Sequence, residues 1–385
     1  MSGEFPAASH YRAYLNTASI GLAWRESIDA MIQASKLYTG NVSKAESAKY
    51  SLIDSITKRF SKLYGFNPAS IGVGESTTHC IYRLALSRPD TELIGLSFEE
   101  FPGIARAVES GCRFKGCRVK VYNEGTVEDS VKAAVDDGAQ VVVVSAVTWV
   151  TGYRTDLASI ISYARKRDTL VVVDAVQHFG ALSLREGEET AHAYAASVKK
   201  WLLTPHAGLG VCVVSREMTG FDPVFHGLGN LAIEDWDEYW SNPAKGAMPV
   251  QSLREDGHRY SAPTGLSVPG LAAFEATLRL FSRIGVADVE GHIMGLKELL
   301  LDLLRDYGVE TFQDYYPESR HSGIASLRVE PSLARRVVGE LARDGIAVSA
   351  RGQAGLSGIR VSVHVYNGED DVRLVAEKLR RYIKV

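Results

Sequence analysis

Between residues 93 and 214 this chain carries short apolar runs that do not alternate with polar residues. Val141-Val142-Val143-Val144 and Leu170-Val171-Val172-Val173 are apolar at every position. A strand with one wet face alternates, so an unbroken run of β-branched residues belongs in a sheet covered on both sides. The spacing predicts strands at Leu93–Ser97, Arg118–Tyr122, Val141–Ser145, Leu170–Asp174, 191–195 and Gly210–Val214, with helical stretches between them. Strands alternating with helices give an α/β fold with a mostly parallel sheet. Amphipathic helices are expected over 23–38 and 47–64.

Residues 215–262 are rich in Pro, Gly, Trp and Asn and read as loop. A second unit follows Pro269: helices over 270–283 and 289–307, a strand over 323–329, a helix over 332–343, strands over 346–350 and 359–364, and a helix over 370–383. The expected organisation is an arm at 1–20 packing on the smaller unit, a large domain at 21–262 and a small α+β domain at 263–385.

A length of 385 residues accommodates two domains with a large core. The net charge of -3 gives no electrostatic reason for a nucleic acid or an anionic membrane as partner. No apolar run reaches the ~20 residues of a membrane helix. The first residues lack the basic-then-apolar pattern of a signal peptide, so a cytoplasmic location is the default expectation. The four cysteines, Cys80, Cys112, Cys117 and Cys212, lack zinc-like spacing and are expected as small buried or surface thiols, with no metal site.

Four constellations carry chemistry. Asp174 ends an apolar strand, where open α/β sheets bind ligands. Lys200, in Ser197-Val198-Lys199-Lys200-Trp201, sits on a turn between apolar segments and can reach the same crevice. An aspartate on a pyridinium nitrogen and a lysine forming a Schiff base are the two protein groups that pyridoxal phosphate (PLP) chemistry needs most. Gln177 is placed to donate to the ring hydroxyl oxygen. Gly72-Val73-Gly74-Glu75-Ser76-Thr77-Thr78, ahead of a helical stretch, suits a phosphate dianion or a plain N-cap. Arg360, inside an apolar strand, needs a partner, either solvent or a substrate carboxylate.

With these residues in view, the chain resembles the class V aminotransferase family of fold type I PLP enzymes. That family holds cysteine desulfurases, selenocysteine lyases, isopenicillin N epimerase-like proteins, kynureninases and some true aminotransferases. Seven segments in order carry the resemblance: Tyr14 to Ser19, Ser76 to His79, Glu100 to Pro102, Val173 to Gly180, Ser197 to Leu202, Arg259 to Thr264 and Arg360 to Asn367 with Glu369-Asp370. It implies a mostly parallel seven-stranded sheet in the large domain. It implies Lys200 as the Schiff base, Asp174 on the ring nitrogen and Gln177 on the ring oxygen. Thr77, Thr78 and Ser197 would hold the phosphate with help from Lys199, and Thr264 would reach it from a partner subunit, giving a homodimer with shared sites. Phe101 would stack on the ring. Arg360 would grip the carboxylate of an amino acid substrate, with His79, Trp149, Asn16, Tyr153 and Arg154 near its side chain. The implied activity is a transferase or lyase reaction through an external aldimine.

The departures concern the substrate. Lys199 stands where many members have histidine, Phe101 where desulfurases have the stacking histidine, and Trp149 where they have asparagine. Residues 349–357 lack the cysteine that takes up sulfur in desulfurases. Selenocysteine lyase-like elimination and epimerisation stay open, as does a catalytically silent PLP-fold protein. A nicotinamide dehydrogenase lacks its glycine-rich turn here.

Overall fold

The computed structural model describes residues 3–205, 208–242 and 252–383. The strands, in chain order, are β1 (Ala13–Tyr14), β2 (Ile71–Gly74), β3 (Leu93–Ser97), β4 (Arg118–Tyr122), β5 (Val141–Ser145), β6 (Leu170–Asp174), β7 (Ala193–Ser197), β8 (Gly210–Val214), β9 (Ile324–Arg328), β10 (Ile346–Ala347), β11 (Ser349–Gln353) and β12 (Leu356–Ser362). Seven form the central sheet in the order β2-β8-β7-β6-β5-β3-β4. Strands β3 to β7 are parallel, and β8 runs antiparallel to both β7 and β2.

The unbroken valine runs are explained by where their side chains go. Val141 and Val143 join Ile81, Leu84, Ile104 and Val108 in one core, on the side of helices Thr77–Ala85 and Pro102–Lys115. Val142 and Val144 join Val131, Ile160 and Ile161 in the core on the opposite side. Successive residues of a strand face opposite ways, so both faces of β5 are dry.

Two expected strands are adjusted. The strand expected at 191–195 lies at Ala193–Ser197, which puts Ser197 at its end. The glycine-rich Ile71–Gly74, given no element from the sequence, is an edge strand. Gly72 is needed there because a Cβ would sit 2.6 Å from the Gly257 carbonyl oxygen. The strand expected at 346–350 divides into β10 and β11, and β11 forms a hairpin with β12 through Ala354-Gly355, both at positive φ. That is the backbone of a two-residue hairpin turn.

The reading of all four cysteines as thiols is corrected: Cys112 and Cys117 form a disulfide. Cys112 lies in the last turn of helix Pro102–Lys115. Gly116, at φ +84°, reverses the chain so that the Cys117 N–H donates to the Cys112 carbonyl at 3.1 Å. Cys80 and Cys212 are free and buried.

The second sheet is antiparallel, β11-β12-β9, and helices Pro331–Arg343 and Glu369–Ile383 accompany it. The N-terminal segment is tied to this part of the chain. β1 pairs in parallel with β10, and Asn16 bridges Ser362. Helix Val268–Ile284 runs beside the two N-terminal helices, Arg25–Leu37 and Val42–Tyr64. Among the described residues no helix is long and apolar enough to cross a membrane.

Candidate active site

The carboxyl ends of β5, β6 and β7 open into one cavity of about 210 Å³, lined by Ser145, Asp174, Ser197, Lys199 and Lys200 from the sheet side. Ser76, Thr77 and Thr78 close one end; Phe101, Ile104 and Trp149 form an apolar wall; Val147, Val176 and Gln177 complete the lining.

Helix Thr77–Ala85 starts at the cavity. Ser76 caps it, its hydroxyl accepting from the His79 N–H at 3.2 Å. Gly210 of β8 lets that helix start approach, since a Cβ would stand 2.8 Å from the Ser76 carbonyl carbon. The Thr77 hydroxyl is buried and has no hydrogen-bond partner. A helix N-terminus with a buried hydroxyl waiting beside it suits a phosphate.

Asp174 is 5% exposed and accepts from the Val176 N–H at 2.8 Å. Burial pushes its carboxyl up to about 6. The Lys200 amine is held down to about 8, first by burial and then by the Arg360 charge, while Asp174 works in the other direction. A lysine with this depressed value has a substantial free-amine fraction near neutral pH. Its Nζ lies 5.5 Å from the Phe101 ring centroid, and Trp149 meets Phe101 edge-on at 5.5 Å.

The turn that carries Lys200 is held from several sides. Trp201, fully buried, donates its indole N–H to Gln177 at 2.6 Å. The Trp201 carbonyl lies 2.9 Å from His364 Nε2. The Val365 N–H donates to the Nδ1 of the same ring at 2.8 Å. His364 is therefore neutral with its proton on Nε2, and burial holds it down to about 3. Gly21 donates to the Lys199 carbonyl at 3.0 Å. Leu203 adopts φ +47° to close the turn, a strained conformation for a leucine.

Gln177 lines the cavity, but its side chain is already engaged. Its carbonyl accepts from Trp201, and its amide donates to the Ala18 carbonyl at 3.1 Å, leaving one N–H for a ligand.

Some expected residues lie elsewhere. Arg360 is 2% exposed and stands behind the lining, donating to the Trp149 carbonyl at 2.6 Å and the Ser19 hydroxyl at 2.8 Å. Asn16 accepts from that same hydroxyl at 2.7 Å. His79 faces outward and lies 3.4 Å from Glu75. Thr264 is exposed and outside the lining. Gly152, at φ +77°, turns the chain away after Trp149. Tyr153 then bonds Glu128, and Arg154 bonds Glu290 and the Ser183 carbonyl.

Glu100 is a residue whose role the sequence reading missed. It is 2% exposed and accepts from the Ser145 hydroxyl and from the Phe101 N–H, while its Oε2 has no partner. Ser145 is the register neighbour of Asp174 across β5 and β6. Burial, then the Asp174 charge, push the Glu100 carboxyl up to about 7. Glu100 lies behind the cavity lining, linked through Ser145 to the strand end that carries Asp174. The one available signal was an acidic pair just past the end of β3.

An orphaned buried hydroxyl at a helix start, a buried carboxyl, a depressed lysine and an aromatic wall together fit pyridoxal phosphate. A profile of the aminotransferase class-V family matches residues 13–375. The chain belongs to the class V aminotransferase family. It is accordingly a PLP-dependent enzyme of fold type I. The chain is 25% identical over 288 residues to a probable cysteine desulfurase of Methanothermobacter thermautotrophicus, covering 69% of this chain and 67% of that protein. It is 26% identical over 244 residues to an uncharacterised protein of Schizosaccharomyces pombe, covering 62% of this chain but only 52% of the yeast protein. The cystine C–S lyase C-DES, solved with its product cysteine persulfide, superposes with a TM-score of 0.84 at 20% identity, covering 98% of this chain and 99% of that one.

Proposed function

We propose that this enzyme acts on an amino acid, with Lys200 as both the attachment point of PLP and the base that removes the substrate α-proton. The observation that carries the reading is the Lys200 amine, depressed to about 8, in one cavity with the Asp174 carboxyl and the unpartnered Thr77 hydroxyl. Bound there, the cofactor supplies an electron sink for the carbanion formed beside the amino group. Thr77, Thr78 and Ser197 hold its phosphate, with Lys199 adding a charge. Asp174 keeps the ring nitrogen protonated, and Gln177 offers its remaining N–H to the ring oxygen. Phe101 covers the ring face. Arg360 turns from the Trp149 carbonyl to the substrate carboxylate.

The reading is desulfurase-like in its cofactor machinery but without an enzyme thiol. Among the described residues no cysteine lines the cavity, and the two free thiols are buried. Transamination, or loss of a β-substituent, needs no such acceptor. We favour these over persulfide transfer. The enzyme works as a homodimer in which Thr264 of one subunit completes the phosphate site of the other. Thr264 follows Pro263, whose carbonyl accepts from Gly229, and the neighbouring Val224, Phe225 and Leu228 are exposed apolar residues suited to burial between subunits.

The test is a panel of amino acids incubated with the holoenzyme, scored for 2-oxo acid, released β-substituent and new amino acid. Turnover to a 2-oxo acid without protein-bound sulfur is the expected result. Binding of PLP with no amino acid consumed contradicts the reading.

A further inference from the structure

The hairpin of β11 and β12 brings two arginines together at Ser19, one of them bonded to the back of the lining residue Trp149. Arg360 and Arg351 are diagonal neighbours on one face, since Arg360 pairs with Ser349, two residues before Arg351. Both reach the same oxygen: Arg360 Nη2 and Arg351 Nη2 each lie 2.8 Å from the Ser19 hydroxyl. Their other bonds go to the carbonyls of Trp149 and Ala350. Among the described residues neither guanidinium is paired with a carboxylate, and the buried Arg360 Nε has no partner at all.

Two like charges gathered on one neutral hydroxyl are costly, because each loses water and gains no counter-ion. The cost appears as a fall in the Arg360 value to about 9, from burial and then from Arg351. Both charges also act on the Lys200 amine, so both belong to its surroundings. A single α-carboxylate accounts for Arg360. Arg351 is left over.

Building on the PLP reading above, we propose that the substrate is an amino acid with a second acid group, and that Arg351 receives that group while Arg360 holds the α-carboxylate. Entry of two anions releases Ser19 from both guanidiniums and supplies the missing counter-charges. Arg351 is thus a specificity-determining residue, and dicarboxylic amino acids are the favoured class.

The test uses the holoenzyme and two probes of matched length, glutarate and pentanoate, with dissociation constants from calorimetry. Wild type is expected to bind the dicarboxylate at least ten-fold more tightly. Arg351→Gln is expected to erase that preference and leave pentanoate binding unchanged, whereas Arg360→Gln weakens both. Equal affinity of wild type for the two probes overturns the proposal, as does equal weakening of both by Arg351→Gln. The visible spectrum of each variant checks that the cofactor site is intact. Loss of the preference with the spectrum retained isolates Arg351. An absence of any cofactor band in wild type would instead sink the PLP assignment, independently of which acid is preferred.

Discussion

The indole N–H of Trp201 donates to Gln177 Oε1 over 2.6 Å in the core. Gln177 is three residues past Asp174, and Trp201 follows Lys200. One buried hydrogen bond therefore couples the turn bearing the carboxyl to the turn bearing the amine. Trp201→Phe keeps most of the ring volume but leaves the Gln177 carbonyl unsatisfied, which costs about 1–3 kcal/mol. The urea midpoint is expected to fall accordingly and the cofactor absorbance to shift. An unchanged midpoint would show that the coupling contributes nothing.

The Lys200 amine carries its proton below about 8 and loses it above. Attack on an aldehyde needs the free amine, so PLP incorporation into apoenzyme should quicken about ten-fold per pH unit on the acid side and level off beyond. The same depression means the folded state binds fewer protons than the unfolded one between about 8 and the ordinary 10.5. Its penalty on folding is thus full at neutral pH and fades as pH rises through that window. Stopped-flow absorbance against pH gives the midpoint. A midpoint near the ordinary lysine value contradicts the burial argument.

Asp174 is raised, from 3.8 to about 6. The folded apoenzyme therefore binds more protons than the unfolded chain in that interval and loses that relative stability as pH climbs through about 6. Asp174→Asn keeps the acceptor for the Val176 N–H while removing the buried charge. Apoenzyme Tm at pH 8 is expected to hold or rise, by an amount on the order of 1–3 kcal/mol in stability. The advantage should shrink towards pH 5, while turnover falls by more than about a hundred-fold. A lower apoenzyme Tm at pH 8 would contradict this.

Gly21 packs directly on the lysine turn. A Cβ there would lie 2.1 Å from the Lys200 carbonyl oxygen. Gly21→Ala forces that backbone to move, at a cost of about 1–3 kcal/mol. Loss of stability with faster cofactor release on dialysis is the expected pair of outcomes, and wild-type values for both would refute the packing argument.

These residues were not equally legible in the sequence. Asp174 was plain because it ends a run of apolar residues, and a buried parallel strand presents its last side chain to the crevice. Lys200 was plain because Trp201-Leu202-Leu203 argues against an exposed turn. Glu100 was not, since Glu99-Glu100 reads as a solvated pair until β5 is placed beside β3 and Ser145 beneath it. Arg351 was hidden for the opposite reason: its hairpin is polar, and periodicity registers only apolar faces. Arg154 misled because it follows Trp149 closely, whereas the turn at Gly152 sends it to Glu290. The Cys112–Cys117 link depends on the reversal at Gly116, a backbone conformation that spacing alone does not encode.

Reduction of the holoenzyme with borohydride, followed by digestion and peptide mass mapping, tests the central assignment most directly. One pyridoxyl group on the peptide containing Lys200, localised to Lys200 and absent from Lys200→Ala, is the predicted result. A group found on Lys199, or one that persists in Lys200→Ala, would contradict it.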